Sequence, residues 1–446
     1  MPAEQLLLGV DIGTTNAKAL LATPDGQVVA QATTCYELST PQPGWVEQNP
    51  EDWWRGAVEV MRGVVRKAGA RPDQVAAIGI SGQGCAATLI DRQGNALRPG
   101  IIWMDARSEA QCERMRQSAA ERILRINGKR PAPYNFDPKL VWLQEHEPEI
   151  FARAWHSLTT TGYINFRLTG EPVLNVSDAS IPFAFDQRAC DWSEELIAAF
   201  GVPRGLYPPV APSQQIIGGL LPAVAQAVGL KPGIPVIAGA EDTSAAGLSV
   251  GAVEPGQAML SLGTGGSIYI VTETPLAHPQ LLIFAHVLEQ KWFAGGTIVA
   301  FGASLAWGRD LLGRSDFEQM TALAAQSEPG AQGLIFLPYL SGELQPINDG
   351  NARGVFFGLQ PRHGPGHLIR AVIEGNALAL GRLQALQEEV HQRPIDEIHV
   401  SGGQSALPLV NQIVADVTGR PVLVTDTPAV TCQGAALLAG LGAGLY

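Results

Sequence analysis

Two acids stand at places where a strand hands over to a tight turn or a helix. Asp11 lies near the end of the apolar run Leu6-Leu7-Leu8-Gly9-Val10-Asp11-Ile12, just before Gly13-Thr14-Thr15. An apolar run of this length reads as a buried strand, and Ala17 to Ala22 reads as its returning partner. The turn between them suits a phosphate. Backbone N–H groups and the hydroxyls of Thr14 and Thr15 can face phosphate oxygens, Lys18 adds positive charge, and Asp11 can hold a hydrated Mg²⁺. No GxxxxGK[ST] loop occurs in the chain. The second acid, Asp242, follows the apolar run Pro235-Val236-Ile237 and opens a small-residue segment read as a helix. There it gains from the helix N-terminus and is placed to act as a base. Taken singly, each has a plain alternative: an ordinary hairpin turn for Asp11, a helix N-cap for Asp242.

A second hairpin weighs against coincidence. Met259 to Leu262, Gly263-Thr264-Gly265-Gly266 and Ser267 to Val271 repeat the pattern of strand, Gly-Thr turn and strand in the other half of the chain. Two such hairpins predict a duplicated ATPase architecture. Other strand ends add polar or glycine-rich loops. Val75 to Ser81 leads into Gly82-Gln83-Gly84-Cys85, and Glu397 to Val400 leads into Ser401-Gly402-Gly403-Gln404. Gly302 marks a further close backbone approach before a helix. Trp103, Asp105 and Arg107 alternate after Ile101-Ile102. On a strand, such a set can stack on a sugar and bond its hydroxyls; a solvated Asp–Arg pair beside a core tryptophan is the equal alternative.

Composition bounds the rest. The chain has 446 residues, 46% hydrophobic and 16% charged, enough for two or three domains with a large core. A net charge of −12 argues against nucleic acid or an anionic membrane as partner. Five cysteines without a C-x-x-C read as reduced thiols, and no signal segment or membrane-spanning run is evident, so a cytoplasmic protein is expected. His363 and His367 are read as surface or cap residues. Asn49-Pro50-Glu51-Asp52 reads as the start of a helix, with the following tryptophans directed to the core.

Together these motifs resemble the FGGY family of carbohydrate kinases, in its xylulokinase-like branch. The resemblance rests on GVDIGTTNAKA at 9–19, PGWVEQNPEDWW at 43–54, SGQ at 81–83, WMDAR at 103–107, AGAEDTSAAG at 238–247, LSLGTGG at 260–266 and SGGQSALPLVNQIVAD at 401–416. It implies an α/β fold of the hexokinase/actin ATPase superfamily: two actin-like, ribonuclease H-like lobes with a central cleft. The expected lobes are 1–243, carrying sugar and the first hairpin, and 244–446, carrying nucleotide. It further implies ATP and Mg²⁺, with Asp11 as the metal acid and Asp242 as the general base. Nucleotide contacts are expected from Thr14, Thr15, Lys18, Gly263, Thr264, Gly302, Gly402, Gly403 and Gln404. Substrate contacts are expected from Gln83, Gly84, Cys85, Trp103, Asp105, Asp242 and Thr243. The expected reaction is phosphorylation of a pentulose such as xylulose, with ribulose, glycerol or a related polyol as alternatives. A non-catalytic sugar or nucleotide sensor on the same fold is the rival class. The partner is then a small sugar or polyol, and a homodimer is the assembly left open. Three departures bear on the substrate. Gly84 and Cys85 stand where the branch carries Met-His, which implies a roomier pocket at that end. Leu344-Gln345 replace Arg-Thr in the run after Gly342-Glu343. The chain also ends soon after Gly440, without the family's usual tail.

Overall fold

In the computed structural model, residues 5–313, 316–425 and 429–446 are described. The chain divides into two compact units. The first comprises 1–249, 284–291 and 427–446; the second comprises 250–283 and 292–426.

The first unit is built on a seven-stranded sheet. Its opening strands are β1 (Leu6–Ile12), β2 (Asn16–Ala22) and β3 (Val28–Cys35), joined as an antiparallel meander. Helix α1 (Pro50–Ala68) follows. It starts as the sequence predicts: Asn49 accepts from the N–H of Glu51, Pro50 holds the first turn, and Gly69 closes the helix at φ 59°. Its buried stripe of Trp53, Ala57, Val60, Met61 and Val64 keeps helical spacing. Strand β4 (Val75–Gly82) then runs parallel to β1 and aligns Ser81 with Asp11. Strands β5 (Ile216–Gly219), β6 (Pro235–Ile237) and β7 (Ala240–Glu241) complete the sheet. β6 and β7 both lie parallel to β4, and β7 feeds directly into helix α2 (Asp242–Val250).

A boundary at 243/244 would cut α2, and the first unit instead continues to Ser249. It also takes back the chain's last helix, Val430–Gly442. Small residues allow that return. A Cβ on Gly9 would lie 1.9 Å from the carbonyl oxygen of Cys432, and one on Gly79 would lie 2.0 Å from that of Ala435. Helix backbone thus rests directly on the middle of β1 and β4, a distance only glycine permits.

The second unit repeats the plan with six strands. These are β8 (Gln257–Leu262), β9 (Gly266–Thr272), β10 (Leu282–Ala285), β11 (Trp292–Ile298), β12 (Glu397–Ser401) and β13 (Val422–Val424). β8 pairs antiparallel with β9, β9 antiparallel with β11, and β8 parallel with β12. That is the relation β1, β2, β3 and β4 bear to one another. The duplication inferred from two hairpins therefore extends to sheet topology. Helix α3 (Phe301–Leu311) begins just after β11, and α4 (Pro365–His391) is the long amphipathic helix expected near 367–387.

Candidate active site

In the first unit the site grows from the β1–β2 turn. The N–H of Gly13 donates to the Asn16 carbonyl at 3.0 Å, and Tyr36 Oη donates to that same carbonyl at 3.1 Å. Thr14 is held on three sides. Its hydroxyl donates to Gln83 Oε1 (3.1 Å) and accepts from Trp103 Nε1 (3.0 Å), while its carbonyl accepts from Gln48 Nε2 (2.6 Å). Gln48 is fixed in turn by Gln83 Nε2 (2.7 Å) and by the buried indole N–H of Trp53 (3.0 Å). The Thr14 hydroxyl is therefore engaged within the protein, whereas Thr15 is exposed. Lys18 is paired in register with Asp11 across the hairpin.

Asp11 is only 5% exposed and accepts from Ser81 Oγ at 3.2 Å. Burial, with Asp242 alongside, pushes its carboxyl up to about 6, against the opposing pull of Thr431, Lys18 and Ser81. Asp178, buried nearby, is pushed up to about 7 by the same desolvation. Glu241 is raised well above the carboxylate range by burial, with Asp242 and Asp178 close to it. Four carboxyl groups thus converge on the end of the sheet. Asp11 and Asp242 come from segments 231 positions apart in the chain, yet they feel each other's charge.

The helix cap at this junction falls to Glu241 and not to Asp242. Glu241 Oε2 accepts from the N–H of Ser244 at 3.1 Å, and its own N–H donates to Ser177 Oγ at 2.9 Å. Asp242 accepts a hydroxyl bond from Thr243 at 3.1 Å, is hydrogen-bonded to the Glu241 carboxyl, and is partly exposed. Gly239 makes the approach possible: at φ 82°, a Cβ there would lie 2.2 Å from the Ile80 carbonyl oxygen.

Two sequence expectations are corrected here. Asp105 is not free to meet a ligand. It is wholly buried and accepts from the N–H of Val46 (2.5 Å), the N–H of Arg107 (2.9 Å) and the Arg107 guanidinium (2.7 Å). Arg107 lies 3.9 Å over the Trp45 ring and also reaches Glu47 at 2.6 Å. The strand expected to carry the alternation stops at Ile101, so Trp103 turns outward, 45% exposed, while Asp105 turns in. Nor does Gly84 leave open space. A Cβ at Gly84 would meet Glu241 Cγ at 3.2 Å and Oε1 at 3.4 Å. Cys85 beside it holds φ 60°, with its carbonyl accepting from Lys139 Nζ at 2.7 Å. Burial pushes its thiol up to about 12, which keeps it neutral. His367 acts as a cap, its Nδ1 accepting the N–H of Gly364 at the start of α4, while His363 Nδ1 accepts the N–H of Gln360 across a turn.

In the second unit, another set gathers on the β8–β9 turn. The N–H of Gly302 donates to the Gly263 carbonyl (3.2 Å), and that of Ala303 to the Thr264 carbonyl (2.9 Å). A Cβ at Gly302 would sit 2.2 Å from the Gly263 oxygen. Gly402, at φ 96°, packs on Leu262, and the amide nitrogen of Gln404 approaches Gly302. Gly403 has nothing within 4 Å of where its Cβ would be. The six residues expected here from sequence are therefore neighbours: a glycine-lined edge with open backbone, suited to a flat base or a phosphate.

A family model for the N-terminal domain of the FGGY family of carbohydrate kinases matches residues 6–249, and one for its C-terminal domain matches 258–443. The chain belongs to the FGGY family. This kinase is 36% identical to a xylulose kinase of Escherichia coli over 417 residues, 93% of this chain and 85% of the relative. It is 33% identical to a glycerol kinase of Aromatoleum aromaticum over 454 residues, 99% of this chain and 90% of the relative. A solved xylulose kinase from Rhodospirillum rubrum superposes with a TM-score of 0.92 at 32% identity, covering 98% of this chain and 90% of that one.

The FGGY kinase holds no group of three or more metal-ligating side chains among the described residues, and none of its described helices is long and apolar enough to cross a membrane. One or two carboxylates suffice for Mg²⁺, which keeps most of its waters and leans on substrate phosphates. Asp11 offers that kind of donor: a buried carboxylate oxygen at the end of β1, with Asp242 within electrostatic reach.

Proposed function

We propose that this kinase transfers the γ-phosphoryl group of ATP to a hydroxyl of a small ketose or polyol, with a pentulose such as xylulose as the leading acceptor. The observation that carries the catalytic assignment is the cap at α2. Because Glu241 takes the Ser244 N–H, Asp242 is spared that task and stands partly exposed at the head of the helix. In this reading Asp242 accepts the proton of the attacking hydroxyl as its oxygen bonds to phosphorus. The bond from phosphorus to the bridging oxygen breaks, and ADP leaves. Asp11 would hold the metal, and Mg²⁺ when bound would supply positive charge to the phosphate oxygens. The first hairpin, with Thr15 and Lys18, faces phosphate. Gly263, Thr264, Gly302, Gly402, Gly403 and Gln404 bind nucleotide. Gln83 and Trp103, tied together through Thr14, belong to the acceptor side. Similarity to xylulose kinases supports the pentulose, and the glycerol kinase relative keeps smaller polyols in view.

The test is ADP release with MgATP across D-xylulose, D-ribulose, xylitol, glycerol and D-gluconate. Acceptor-dependent release led by a pentulose is expected. Release that ignores every acceptor would overturn the reading and favour a nucleotide-responsive sensor.

A further inference from the structure

Glu241 stands out as a buried acid with two neighbours of different kinds. On one side is Asp242. On the other is Gly84, in the loop after β4, whose absent side chain leaves the place that the Glu241 methylenes and Oε1 occupy. Its Oε2 accepts from the Ser244 N–H at 3.1 Å, and Thr243 Oγ1 lies 3.0 Å from its Oε1 and 3.1 Å from Asp242 Oδ1, so the two carboxyls share that one hydroxyl. Desolvation beside Asp242 and Asp178 favours its neutral acid form, which both donates and accepts hydrogen bonds. Cys85, the next residue in the loop, offers only a buried thiol, a poor partner for a hydroxyl.

We propose that Glu241 sets acceptor choice: it fills the space a side chain at position 84 would take, and its carboxyl group reads an acceptor hydroxyl at that end of the site. This rests on the kinase reading above. Recognition is thereby moved from the strand-end loop to the residue beside the base. A site that bonds a hydroxyl rejects analogues lacking it far better than a merely apolar wall does. The acceptor class is accordingly a short, uncharged polyhydroxy compound whose hydroxyl next to the phosphorylated end lies within reach of Glu241.

The test compares wild type, Glu241→Ala, Glu241→Gln, Gly84→Met and the double variant Gly84→Met with Glu241→Gly. The readouts are KM for D-xylulose, D-ribulose and xylitol, KM for ATP, and thermal stability with and without acceptor. Glu241→Ala is expected to raise acceptor KM about tenfold or more and to flatten the ranking, with KM for ATP unchanged. Glu241→Gln, which keeps shape and hydrogen bonding, is expected to hold the ranking. Gly84→Met alone is expected to lose acceptor binding, and removing Glu241 is expected to relieve that loss, a non-additivity that marks direct contact. If Glu241→Ala fails to fold because the cap is lost, Glu241→Asp replaces it, and its acceptor-induced stabilisation is expected to fall. The proposal is overturned if acceptor KM and ranking match wild type in Glu241→Ala, or if acceptor-induced stabilisation of Glu241→Asp matches wild type where that variant replaces it, or if Gly84→Met is tolerated with Glu241 in place. A wild type that phosphorylates none of the three compounds would instead overturn the kinase reading itself.

Discussion

Lys139 Nζ donates to the carbonyl oxygen of Cys85 at 2.7 Å and to that of Tyr134 at 2.6 Å. The lysine is fully buried, and burial lowers its ammonium to about 8. It pins the loop after β4 while Cys85 sits at φ 60°, a conformation L-residues other than Asn, Asp or His seldom adopt. Lys139→Met is therefore expected to release that loop and raise acceptor KM several-fold. Hydrogen bonds from a charged donor are worth about 1.5–3 kcal/mol each, so melting temperature should also drop. Steady-state kinetics with each substrate varied in turn checks this; an unchanged acceptor KM would show that the loop holds without its lysine.

Asp242→Asn keeps the shape of the side chain and removes the base. Turnover is expected to fall by roughly 10²–10⁴-fold. Calorimetric titration with ATP should show affinity close to wild type. Near-normal turnover would return Asp242 to a structural role.

Asp11 separates function from stability. Its folded pKa of about 6 lies above the ordinary 3.8, so the folded state holds the proton more tightly. Its contribution to stability is full below the unfolded value and is lost as pH rises through 6. At pH 8 the ionised carboxylate is a burden of about 3 kcal/mol. Asp11→Asn is accordingly expected to resist urea better than wild type at pH 8 and to lose that advantage near pH 4. Asp11→Ala should need more Mg²⁺ for activity, with partial rescue as Mg²⁺ is raised. Superimposable Mg²⁺ titrations would leave the carboxylate without a metal role.

Gly302→Ala should act on nucleotide alone. The new Cβ would press on the Gly263 oxygen and part α3 from the hairpin turn. Affinity for ADP is expected to fall about tenfold or more, with KM for the acceptor little changed. Equal effects on both ligands would mean that the substitution disturbs more than the nucleotide edge.

The hairpins, strand ends and long helices were legible because each is a local signal: an apolar run, a Gly-Thr turn, a cap, a 3.6-residue stripe. The place of Asp242 at a strand-to-helix junction was legible for the same reason. Its neighbour Glu241 was in view, in the run Ala-Glu-Asp-Thr, but nothing in that run says which acid caps the helix. Gln48 and Tyr36 were missed because their importance comes from contacts with Thr14, Gln83 and Gly13, distant in sequence. Lys139 reads as a surface lysine on a helix until the carbonyls it meets are known. Trp103 and Asp105 misled because an alternating pattern suggested a strand where the backbone turns. The return of the last helix to the first unit was not legible either, since contacts that come back from far along a chain leave no local mark.

That return has a consequence for biosynthesis. The helix Val430–Gly442 lies against Gly9 and Gly79, at the heart of the first sheet. A nascent chain emerges from its N-terminus, so β1 and β4 leave the ribosome with one face of the sheet uncovered, and the cover follows the second unit. The first unit, begun first, is finished only when the whole second unit has been translated. Its core depends on a contact spanning more than nine-tenths of the sequence, a separation that slows closure and lengthens exposure to aggregation.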